Sequence, residues 1–108
     1  MTELLFKNPV FKPGLNVTVR RGTKWNFGAK SGVVIKDTFD KMGLPIAVVT
    51  IETFACIFRD LVDEDVANEH DPECQRVQGL LDVMKRVYPG FTESEVVTVV
   101  SFWMPDPT

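Results

Sequence analysis

The chain is predicted to fold as a mixed α+β domain, on three observations. Its apolar residues fall mostly into β-branched runs. The connections between those runs are turn-like rather than helical, whereas a wholly parallel sheet would need a helical crossover for each pair of strands. One amphipathic helix, marked at both ends, stands near the C-terminus.

The first strand is read over residues 15–20. Leu15, Val17 and Val19 alternate with Asn16, Thr18 and Arg20, and a strand sends such alternate side chains to opposite faces. RRGTKWNFGAKSG then reads as a loop rich in Gly, Lys and Ser. GVVIKDT at 32–38 and IAVVTIETF at 46–54 are two further strands joined by the Gly- and Pro-punctuated turn TFDKMGLP, and they are expected to pair. ACIFRDL either prolongs the second of them or bends into the next element, since so short a window carries no decisive period.

The acidic stretch DLVDEDVANEHDPEC opens with a short helix candidate. A second helix is expected to start at Asp71-Pro72, where a carboxylate can accept from free backbone N–H groups and a proline loses nothing by lacking one. Cys74, Val77, Leu81, Met84 and Tyr88 follow helical spacing, with Leu80 and Val87 widening the stripe. Tyr88-Pro89-Gly90 ends the run. EVVTVVSFW at 95–103 is the last strand, with Phe102 and Trp103 divided between core and outer face.

At 108 residues, 44% hydrophobic and 25% charged, the chain matches one ordinary globular domain spanning residues 1–108. No apolar run reaches the roughly 18 residues of a membrane span, and the N-terminus is too short and polar for a secretory signal. A cytoplasmic location without membrane association is therefore expected. Cys56 and Cys74 lack the spacing of a metal motif, and one histidine does not complete a common zinc site with them. Both are read as reduced, buried thiols, and no metal or cofactor is implied. The net charge of −3 is unevenly spread: residues 1–41 carry eight Lys or Arg against three acids, and residues 42–108 carry four against twelve. Such asymmetry permits a basic face for nucleic acid or phosphate on an acidic molecule.

Three segments resemble a known family. PGLNVTVRRG is similar to the ASCH-domain strand whose polar motif has the form GxKxxExR, and Thr18 falls where the amidohydrolase branch of that family writes Thr for Glu. SGVVIKDT is similar to the family's second strand, and HDPECQRVQGLLDVMKRVYPGFTESEVVTVVSFW to the helix, YPG turn and final strand of its small N4-acetylcytidine amidohydrolases. The resemblance implies a small mixed β-barrel of the PUA-like type with helices packed against it. It also implies a cleft beside the first strand, a Thr nucleophile at Thr18 and a catalytic carboxylate at Glu73. Leu15 stands where that branch has its Lys base.

The leading expectation is accordingly a binding module that accepts RNA, a nucleotide or a nucleoside through Asn16, Thr18, Arg20, Arg21, Lys24 and Trp25. The cations would neutralise phosphate and Trp25 would stack on a base, unless Trp25 plugs the core. Arg20 either holds a ligand with its planar fork or pairs with the acidic region. The alternative is a hydrolase of a modified cytidine, with Thr18 attacking and Glu73 moving the proton, although the helix dipole alone accounts for an acid at position 73. His70 is read as a loop or cap residue. A third reading is an adaptor that meets a protein partner through the acidic stretch 60–73, centred on Asp63, Glu64 and Asp65.

Overall fold

The computed structural model describes residues 2–105. Five strands form one sheet: β1 (Glu3–Phe6), β2 (Gly14–Arg21), β3 (Ala29–Asp37), β4 (Pro45–Ile57) and β5 (Val96–Met104). Between β4 and β5 lie α1 (Asp63–Val66) and α2 (Val77–Val87). The strands are ordered β1-β3-β4-β5-β2, with β1 parallel to β3 and every other pairing antiparallel.

The expected β3–β4 pairing is present, with Val34 opposite Val48 and a register shift between Lys30 and Val33. β4 runs on through Ala55, Cys56 and Ile57 before turning into a 3₁₀ turn at Phe58–Asp60, so ACI prolongs the strand and FRD bends into the next element. β1 carries no sequence forecast; its four residues are too few to display a period, yet Leu4 and Phe6 point inward and are buried.

The sheet curls into a half-barrel. Phe6 on one edge strand lies 5.8 Å from Phe102 on β5, and the Arg20 guanidinium on the opposite edge strand sits 4.8 Å above the Phe6 ring. The inner face therefore closes on Leu4, Phe6, Ile35, Ile51, Val100 and Phe102. On the other face of β2 and β5, Val17, Val19, Val97 and Val99 pack against Leu80 and Met84 of α2. Phe102 is 1% exposed and Trp103 68%, the division that alternation requires.

The helical region departs from its forecast. Asp71 does act as a cap, accepting from the Glu73 N–H at 3.0 Å, with Pro72 in the first position. It begins only a 3₁₀ turn, Pro72–Cys74, and Arg76 is extended before α2 starts. Packing explains the interruption: α2 lies so tightly on this turn that a Cβ at Gly79 would overlap the carbonyl oxygen of Glu73. The first N–H of α2 is capped from afar by Asp63, whose Oδ1 accepts from Val77 at 2.9 Å. α2 ends at Tyr88, and Gly90 takes the positive φ of 85° that the YPG reading anticipated.

Cys74 is buried and Cys56 half-buried, and both are free thiols. No helix among the described residues is long and apolar enough to cross a membrane.

Candidate functional site

β2 is an edge strand, and a short extended segment covers part of its outer side. Val17 donates to the Asn68 carbonyl at 2.8 Å and accepts from His70 N–H at 3.0 Å. The curl brings the end of β1 opposite this segment, and α2 lies across the gap. The result is a cleft of about 490 Å³, within the range of small-ligand sites.

Its polar floor is Thr18, Arg20, Glu69, His70 and Asp71; its apolar wall is Leu80, Val83, Met84, Val87 and Tyr88 of α2 and its cap. Phe6 and Lys7 form the opposite lip. A second hollow of about 450 Å³ lies outside, beside Lys12, Leu15 and Trp103, but no buried ionisable group faces it. The chemistry is concentrated in the cleft.

Strand alternation accounts for the placing of Thr18 and Arg20. Opposite residues in an antiparallel pair share a face, and Asn16, Thr18 and Arg20 lie opposite Phe102, Val100 and Thr98. They therefore point to the inner side of the curl. Arg20 is the more unusual of the two cleft residues: its Nε is the one buried side-chain nitrogen or oxygen among the described residues without a hydrogen-bond partner. Burial lowers its pKa, although a guanidinium so perturbed still keeps its charge at neutral pH.

Glu69 is 3% exposed. Burial is the main cause that pushes its carboxyl up to about 7, against opposing pulls from the Asp71 N–H, which donates to Oε1 at 3.0 Å, and from the Arg20 charge. His70 is wedged edge-on against Phe6 at 4.8 Å, with its Nδ1 3.1 Å from the Val10 carbonyl and its Nε2 3.3 Å from Glu69 Oε1. Burial lowers its pKa, so the ring is neutral at pH 7. Cys74 also lines the cleft, but burial pushes its thiol up to about 12, which makes it a poor nucleophile.

The remaining site expectations find other places. Asn16 is fully buried and ties the 12–16 turn together: its Oδ1 accepts from Lys12 N–H at 3.3 Å and its amide donates to the carbonyls of Lys12 and Gly14. Arg21 pairs with Glu95 at 2.7 Å while lying 5.5 Å from the Tyr88 ring, at the margin of the cleft. Lys24 is exposed in the loop, and half-buried Trp25 packs against the inner core and Phe27, so neither lines the cleft. Glu73 is 68% exposed, pairs with Arg86 at 2.9 Å and stands outside the cleft. The carboxylates that line the cleft with Thr18 are Glu69 and Asp71 instead.

Glu69 gave no sequence signal, for it follows α1 amid acids that are solvated or used as caps. Asp63 caps α2, and Asp65 accepts from Val62 N–H at 2.9 Å. Leu15 lies three residues before Thr18, hence on the opposite face, where it is 37% exposed beside Trp103. No protein-family model, no curated protein and no solved structure matches this chain.

Proposed function

We propose that the chain is a nucleoside- or nucleotide-binding domain of ASCH-like, PUA-like type, and that its ligand occupies the cleft between β1, β2 and α2. The observation that carries this reading is the unpartnered Nε of Arg20. A buried donor without an acceptor costs about 1–3 kcal/mol, so a shift of the Arg20 side chain towards a ligand oxygen or ring nitrogen in the cleft recovers stabilisation the free protein lacks. The Arg20 fork suits a base edge or a phosphate, and the apolar wall of α2 suits a flat ring. The volume favours one nucleoside unit, with any attached RNA leaving over the lips past Lys7 and Arg21.

Titration calorimetry with cytidine, cytidine monophosphate and a short single-stranded RNA tests this at two salt concentrations. Arg20→Ala is expected to weaken binding about 10- to 100-fold, the worth of a charge-assisted hydrogen bond. Saturable binding of none of the three probes to the unmodified protein would sink the reading.

One observation favours a second reading, hydrolysis of an N-acylated cytidine. Thr18 and Glu69 line the same cleft, and a carboxyl with a pKa of about 7 is matched to general acid–base work. Glu69 would then take the role first given to Glu73, with Thr18 as nucleophile. Release of acetate from N4-acetylcytidine is expected in this case, and Thr18→Ala is expected to reduce it at least 100-fold. Equal turnover by the variant would remove Thr18 from the mechanism.

A further inference from the structure

The Glu69–His70 contact has a proton count that can be worked out from its neighbours. A backbone carbonyl only accepts, so His70 Nδ1, 3.1 Å from the Val10 oxygen, carries a hydrogen. In a neutral imidazole this leaves Nε2 as a lone pair. That lone pair stands 3.3 Å from Glu69 Oε1. If Glu69 were ionised as well, two lone pairs would face each other in a site where both side chains are more than nine-tenths buried. One proton removes the conflict, on the carboxyl or on the ring. A second proton would make the pair cationic beside Arg20, which has no carboxylate within ion-pair distance among the described residues.

The ring is not free to turn away from this arrangement. Phe6 from β1 meets it edge-on at 4.8 Å, and Phe11 lies against it at 5.4 Å. The charged and titratable groups that line the cleft with the pair come from each element around it, and of these Arg20 and Asp71 act on both members. Arg20 projects from β2 and Lys7 follows β1; Asp71 adjoins the pair on its own segment. Cys74 comes from the 3₁₀ turn and Tyr88 from the end of α2.

We propose that Glu69 and His70 are a one-proton dyad, the acid–base unit of the cleft, and that a ligand seated against Arg20 exchanges that proton. A ligand whose N–H is presented to both Glu69 Oε1 and His70 Nε2 takes the proton's place between the two lone pairs, and the proton leaves for solvent as it binds. A ligand that presents a lone pair takes a hydrogen bond from the protonated carboxyl, and the proton stays. The raised carboxyl and lowered imidazole values favour the uncharged form, carboxylic acid beside neutral ring. The exchange rests on the binding reading above; the dyad itself does not.

The chain contains one histidine, so a single imidazole reports the dyad directly. Long-range proton–nitrogen NMR of uniformly labelled protein, between about pH 5 and pH 9, is the test. A protonated Nδ1 is expected throughout, with an Nε2 shift that changes with the state of Glu69. The imidazole midpoint in Glu69→Gln is expected to move by at least about one pH unit from that of the unmodified chain. Glu69→Asp, which keeps the carboxyl but withdraws it from Nε2, is the second variant should the first fail to fold. An unprotonated Nδ1 at high pH, or one midpoint common to the unmodified chain and the variants, overturns the dyad.

Calorimetry of cytidine binding in buffers of different ionisation heat measures the exchange. A fraction of a proton is expected near neutral pH in the unmodified chain and none in Glu69→Gln. Cytidine binding without proton exchange overturns the linkage and leaves the binding reading intact. Absence of nucleoside and RNA binding instead overturns the binding reading and the linkage, while the imidazole spectrum still decides the dyad.

Discussion

Buried charge is the dominant fact at the scale of single residues. Glu69 keeps its proton up to about pH 7 in the folded chain, whereas an ordinary Glu releases it near 4.5. Between these values the folded state binds more protons than the unfolded one, so stability falls as pH rises through the window and is level above it. A shift of this size corresponds to about 3 kcal/mol. His70 runs in the opposite sense: its lowered pKa means that stability grows as pH rises from the folded value towards 6.5, which offsets part of the loss. Glu69→Gln removes the first effect. Urea denaturation at pH 5 and at pH 8 is expected to show the variant gaining on the unmodified chain at the higher pH. An unchanged difference would mean that Glu69 is ionised in the folded state at both.

The same scale shows what could be read locally and what could not. Thr18 and Arg20 were assigned to one face because a strand of period two leaves no choice. The resemblance of the helix region implies Glu73 as the catalytic carboxylate, and Asp71-Pro72 marks a helix start beside it. Such a signal says nothing about which neighbouring carboxylate turns inward.

At the scale of elements, α2 shows how packing overrides a continuous helical period. Cys74, Val77, Leu81 and Met84 keep helical spacing, yet the chain breaks at Gln75–Arg76. Gly79 permits the break, since the Pro72–Cys74 turn approaches its Cα where any side chain would collide with a backbone oxygen. Gly79→Ala separates two opposed effects. Helix propensity favours Ala by about 1 kcal/mol, whereas overpacking against backbone that cannot give way costs about 1–3 kcal/mol or more. The clash is expected to win, with a lowered denaturation midpoint. A variant more stable than the unmodified chain would show that the turn is free to move off α2.

The acidic stretch also changes meaning at this scale. Asp63, Asp65 and Asp71 accept from backbone N–H groups that would otherwise be open. That local work by itself accounts for three of the acids in the segment suggested as a partner surface.

Over the whole molecule, the curl makes the site. β1 and β2 occupy opposite edges of the sheet in strand order, yet Phe6 and Arg20 touch. Phe6 supports both Arg20 and His70 while filling the inner core. Phe6→Ala is expected to cost about 3–5 kcal/mol by leaving a cavity. Phe6→Leu keeps most of the volume but removes the ring beneath the guanidinium, so it is expected to retain most stability while weakening cytidine binding a few-fold. Unchanged affinity in the leucine variant would show that the ring serves the core alone. Four of the eight cations of the basic N-terminal part, meanwhile, are engaged within the fold. Arg21 pairs with Glu95, Lys36 pairs with Glu3, Lys12 donates to Asn68 and Arg20 turns inward.

The sequence by itself determined four of the five strands, the β3–β4 hairpin, the Asp71 cap, the stop of the helical region and the shared face of Thr18 and Arg20. Each depends on a period, a cap or a turn residue acting over a few neighbours. Only the tertiary structure decided that β1 joins the sheet beside β3, that the sheet curls, and that Glu69, His70, Arg20 and Phe6 line one cleft. Those residues are far apart in the chain, and no local period records which of them the closing sheet brings together.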